Sequence, residues 1–146
     1  MPETIVLVAC VKEKANTALP AKDLYISGWF KKAAAAAQVL GPSWFILSTK
    51  HGLLNPDTIV EPYQKAFRDM DDAERKYWAE NVFRQLQQVV TTGDTLIFLA
   101  DKDYYEILLE LLQTLCVQTQ TPLTGMDIED QMCWFDEQLE ESQSGS

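Results

Sequence analysis

Three short apolar runs, separated by stretches long enough for helices, constrain this chain most. Ile5-Val6-Leu7-Val8-Ala9-Cys10-Val11, Phe45-Ile46-Leu47-Ser48 and Thr95-Leu96-Ile97-Phe98-Leu99-Ala100 carry no polar alternation. Short, largely β-branched and aromatic runs of that kind suit strands covered on both faces. A short fourth strand at a sheet edge is expected near Cys116-Val117-Gln118-Thr119. Between the runs lie helical signals. Ser27 is placed to cap a helix through the alanine run Ala33–Ala37, which stops at Gly41-Pro42. Asp71 and Glu74 resemble a capping box ahead of a helix to about Val90, with Trp78, Val82, Leu86 and Val89 on one face. A leucine-dense helix follows over Tyr105–Leu115. Asp127 caps a last one bearing Ile128, Met132, Phe135 and Leu139 on one side. The alternation predicts an α/β fold: a three-layer, mostly parallel central sheet of about four strands with helices on both faces.

At 146 residues the simplest organisation is one domain, residues 1–141, with 142–146 as a disordered tail. The apolar runs fall well short of the roughly 20 residues of a membrane span. The start Met-Pro-Glu-Thr lacks the basic opening of a signal peptide. Cys10, Cys116 and Cys133 are odd in number without C-x-x-C spacing, and there is one histidine. A cytoplasmic setting with reduced thiols is therefore expected, with no metal, cofactor or membrane partner.

The net charge is −10, which argues against affinity built on neutralising many phosphates. The charge is uneven, however. Lys12, Lys14, Lys22, Lys31 and Lys32 crowd the first quarter, and residues 127–141 are strongly acidic. Small anions remain suitable ligands.

Parallel strands bring their carboxyl ends to one edge, where open α/β sheets bind ligands. Each apolar run ends in polar residues: Cys10 to Lys14, Thr49-Lys50-His51-Gly52, and Asp101 to Tyr104. A common crevice is the expectation. Asp23 and Tyr25, just ahead of the alanine helix, are placed to point back towards it. The competing reading is a set of solvated turns with an inert core cysteine.

LVACVKEK, PAKDLY, FILSTKHGLL and EPY, taken in order, resemble the motifs of an uncharacterised bacterial and phage domain family over nearly the whole chain. More distantly, HGLLNPDTIVEPY is similar to a Tyr-Gly-Leu-Leu-x-Pro … Pro-Tyr stretch of the YaaA-like peroxide-stress proteins. That likeness implies a fold related to uracil-DNA glycosylases and a nucleobase or nucleic-acid link. The chain departs from those proteins in lacking their extra helical DNA-binding elements and in being acidic. Both departures weigh against direct duplex binding.

These residues suit an enzyme acting on a nucleobase, nucleoside or nucleotide by hydrolysis or transfer at the N-glycosidic bond. The departing base needs its charge stabilised, and a carboxylate can orient water or steady an oxocarbenium-like centre. Asp23 would be that carboxylate and His51 the acid or hydrogen-bond donor. Lys12, Lys14 and Lys50 would hold a phosphate, Tyr25 or Tyr63 would stack on a ring, and Gly52 completes the ligand-binding set. Cys10 as a covalent nucleophile is a lesser option, needing an activating neighbour. A second reading is a non-catalytic binder of nucleotides or single-stranded nucleic acid, of stress-response type. A third is a protein-interaction module using the acidic last helix.

Overall fold

A computed structural model of the chain describes residues 3–11, 13–65 and 67–144. In chain order the elements are β1 (Thr4–Ala9), β2 (Leu19–Pro20), α1 (Ala21–Leu24), α2 (Gly28–Leu40), β3 (Ser43–Ser48), β4 (Gly52–Leu54) and β5 (Ile59–Val60). There follow a 3-10 turn (Phe67–Asp69), α3 (Asp72–Gln87), β6 (Thr95–Leu99), α4 (Lys102–Leu112), β7 (Gln118–Gln120) and α5 (Ile128–Ser144). Five strands form one sheet in the order β4-β3-β1-β6-β7, while β2 and β5 pair separately. β1 lies between β3 and β6, parallel to both, and β6 is parallel to β7. The expected mostly parallel sheet is present, with five strands where about four are expected. β4 turns back antiparallel on β3, from Ser48↔Gly52 to Ile46↔Leu54.

The period of two sorts even the continuously apolar β1 into two faces. Val6 and Val8 pack with Ile46, Ile97 and Leu99 against Phe30, Ala33, Ala36 and Ala37 of α2 and Phe135 of α5. Ile5, Leu7 and Ala9 pack with Leu47, Leu96 and Phe98 against Trp78, Val82 and Leu86 of α3 and Tyr105, Leu108 and Leu112 of α4. The small alanines let α2 lie close to the sheet. Phe135 is fully buried, so its truncation to Ala would cost about 3–5 kcal/mol.

Local signals set the helix ends. The Phe30 N–H donates to Ser27 Oγ (3.1 Å), and the Glu74 N–H donates to Asp71 Oδ1 (2.8 Å). The Asp130 N–H donates to Asp127 Oδ1 (2.8 Å). α3 stops at Gln87, where the Gln88 N–H turns to the Gln85 and Leu86 carbonyls. Val89 thus falls outside the helix and is 41% exposed. α4 begins three residues ahead of the leucine-dense stretch, with Asp101 as its N-cap. α5 continues to Ser144, into the segment read from sequence as a tail. Residues 145 and 146 lie outside the described residues.

Candidate functional site at the carboxyl edge of the sheet

The chain leaves β1 for β3 on one side and later returns to β6 on the other. Parallel crossovers share one hand, so the connections leave in opposite directions and open a crevice between β1 and β6. Cys10 follows β1 and Asp101 follows β6. A hollow of about 390 Å³ lies there.

Its floor holds Cys10 and Tyr104, with Sγ 3.8 Å from the phenol oxygen. The Cys10 N–H donates to the Leu47 carbonyl (3.1 Å), and Sγ stands 4.0 Å from Thr49 Oγ1. Phe67 stacks on Tyr104 with ring centroids 4.6 Å apart. Lys14 and Lys65 line the hollow together with Asp69, Asp101 and Asp103. Burial, and next the neighbouring Cys10, push the Tyr104 phenol above its ordinary range. It therefore stays protonated at neutral pH and can donate a hydrogen bond.

Lys14 is aimed by its backbone. It forms a bridge with Tyr25, flanked by the Ala15 N–H to Leu24 carbonyl bond (2.8 Å) and the Ile26 N–H to Glu13 carbonyl bond (3.0 Å). Its Nζ lies 4.5 Å from the Tyr63 ring centroid and 5.7 Å from that of Tyr25. Both distances fall within cation–π range. Burial lowers the Lys14 pKa, an effect opposed by Cys10 and Glu13.

Tyr63 is the hub behind this cleft. Its hydroxyl hydrogen-bonds those of Tyr25 and Ser48. Ser48 Oγ in turn accepts the backbone N–H groups of Lys50 (3.3 Å) and His51 (3.0 Å). Burial pushes the Tyr25 phenol up to about 12 and raises Tyr63 as well. Both are neutral donors and acceptors rather than open stacking platforms, since Tyr25 is 1% and Tyr63 7% exposed.

The His51 imidazole packs edge-on against Tyr63, centroids 5.6 Å apart. Its Nε2 is buried with no hydrogen-bond partner among the described residues. Burial, followed by the charge of Lys50, holds its pKa below the ordinary value. Lys50 is exposed and lines a neighbouring hollow with Lys65, Tyr77 and Trp78. Gly52 has φ +73°, the backbone state that lets the chain reverse into β4.

The structure thus brings Cys10, Lys14, Tyr25, Lys50, His51 and Tyr63 into one neighbourhood, with Cys10 and Lys14 in the cleft itself. Asp23 is held apart. Ala21 and Leu24 form the buried side of the one-turn α1, which leaves Lys22 and Asp23 facing solvent. Lys12 lies outside the described residues. The carboxylates of the cleft come from the start of α4, where Asp101 and Asp103 lie, and from the 3-10 turn, which supplies Asp69. Lys65 arrives in a segment without regular structure, so no periodicity marks it. Among the described residues, no group of three His, Cys, Asp or Glu converges as a metal cradle.

No curated protein and no solved structure matches this chain. The chain belongs to a family of unknown function (DUF6884), whose sequence model matches residues 5–137.

Proposed function

We propose that the protein acts on a nucleoside or nucleotide held in the cleft between β1 and β6, hydrolysing its N-glycosidic bond. One observation carries the reading. At the point where the crossovers diverge, two lysines and three aspartates surround a floor made of a buried cysteine and a half-buried phenol. The resemblance of HGLLNPDTIVEPY to YaaA-like proteins, with its implied nucleobase link, supports it from the sequence side.

The chemistry asks for a carboxylate beside the anomeric carbon and a cation near the leaving base. Asp101 takes the part that the sequence suggests for Asp23. It is the N-cap residue of α4, yet its side chain makes no capping hydrogen bond to the helix. Its carboxylate can therefore accept a proton from water. The water oxygen bonds to C1′, the C1′–N bond breaks, and the departing base takes up a proton. Lys14 supplies the ammonium that offsets charge on the base or on a phosphate.

A non-catalytic nucleotide binder is the second reading, favoured by the position of His51. The sole imidazole lies against Tyr63 and not among the residues lining the cleft. Chromatography of incubated nucleosides and nucleotides for released base separates the two. The enzyme releases base, and Asp101→Asn lowers the rate at least about 100-fold, the lower end of what one proton-transfer group contributes. Ligand-induced thermal stabilisation with no base released from any nucleoside or nucleotide would leave only the binder.

A further inference from the structure

A second hollow, of about 320 Å³, adjoins the cleft and shares Cys10, Val11, Asp101 and Tyr104 with it. Its own walls differ in kind, being Trp29, Ile128, Ser27, Glu13 and Gln131. Trp29 is held rigidly there. Its indole N–H donates to Gln131 Oε1 (2.8 Å), and the Gln131 amide donates to the Met126 carbonyl (3.0 Å). Gln131 is only 4% exposed, and Phe135 meets the Trp29 ring edge-on at 5.5 Å. Ile128, at the first residue of α5, is 60% exposed beside this hollow rather than packed on the sheet. A fixed indole and an open aliphatic side chain at a site already joined to a charged cleft are suited to a flat ring.

We infer that this hollow is the base subsite and that the ligand is a nucleoside 5′-monophosphate, with its phosphate at Lys14 and Lys65. The inference rests on the nucleotide reading above and assigns its parts. The residues common to both hollows mark where the bond joining base and sugar lies, over Cys10 and Asp101. Glu13 offers an acceptor for exocyclic amino groups of the base. The cleft also holds Asp69, Asp101 and Asp103. These can accept hydrogen bonds from ribose hydroxyls, and they would repel the extra charge of a di- or triphosphate tail.

Calorimetric titration of the full chain, and of its Asp101→Asn variant in which slowed hydrolysis keeps the probes intact, tests this with the four ribonucleoside 5′-monophosphates, their nucleosides and triphosphates, and ribose 5-phosphate. At least one monophosphate is expected to bind about tenfold or more tighter than ribose 5-phosphate, as a stacked base contributes. It should also bind more tightly than its triphosphate. Trp29→Leu and Ile128→Asp should each bring the ratio to ribose 5-phosphate near one. Lys14→Ala should instead erase the ratio of monophosphate to nucleoside. Ile128 is exposed, so its variant keeps the test decisive if Trp29→Leu does not fold. Monophosphates that bind no better than ribose 5-phosphate, or a ratio untouched by Ile128→Asp, overturn the subsite assignment alone. If no probe binds the wild-type chain, the nucleotide reading falls and the assignment with it.

Discussion

The Tyr63 hydroxyl stands 2.8 Å from Ser48 Oγ, tying the last residue of β3 to the loop segment that walls the cleft. Because Ser48 Oγ also receives the Lys50 and His51 N–H groups, one buried oxygen holds the strand end, the turn after it and the Tyr63 ring together. Buried polar groups of this sort cost more to orphan than to remove in pairs.

Tyr63→Phe is therefore expected to destabilise the fold by about 1–3 kcal/mol, because the buried Tyr25 and Ser48 hydroxyls each lose one partner. Tyr25→Phe added to it should cost less than the sum of the two single changes. Urea unfolding of the two single variants and the double variant measures this coupling. Strict additivity would show that the pair contributes nothing jointly.

Stability should fall as pH drops below about 6.5. Burial and Lys50 depress the folded-state pKa of His51, so the unfolded chain takes up that proton first. The contribution is complete above the unfolded value and is lost as pH falls through the folded one. His51 is the only histidine, so the slope between pH 7 and pH 5 belongs mainly to it. His51→Gln should flatten that part of the curve in thermal melts taken across the range.

Gly52→Ala should destabilise by about 1–2 kcal/mol from backbone handedness alone. A Cβ there would also meet the Gln85 carboxamide oxygen, which accepts the Leu53 N–H at 2.7 Å. Denaturant unfolding should show a lower midpoint. An unchanged midpoint would mean that the β3–β4 reversal does not depend on the left-handed residue.

Under native conditions an alkylating reagent should modify Cys116 and Cys133 quickly and Cys10 slowly. The first two are exposed, whereas Cys10 is 8% exposed at the cleft floor. Mass mapping after timed quenching reads this directly. Fast labelling of Cys10 would show the floor opening on that timescale.

Much of the fold was legible because its signals are local. The caps at Ser27, Asp71 and Asp127 bond the N–H groups that their spacing predicts. The apolar runs at Ile5, Phe45 and Thr95 became neighbouring strands. Gly52-Leu53-Leu54 carries no strand signal because three residues are too few to show a period, yet β3 offers them an edge to pair with. The difference between Asp23 and Asp101 has a similar origin. Both are aspartates at the start of a helical turn, and which one faces the cleft depends on how that turn packs.

By itself, the sequence determined the layered α/β architecture and that Cys10, Lys50-His51 and Asp101-Tyr104 would end strands at one edge. Hydrophobic period and capping chemistry are encoded within a few residues of where they act. Only the tertiary structure decided that β1 and β6 flank the cleft, that Lys65 and Asp69 enter it, and that His51 packs against Tyr63 while Asp23 faces solvent. Strand order and side-chain burial arise from contacts between segments tens of residues apart, and no local pattern carries them.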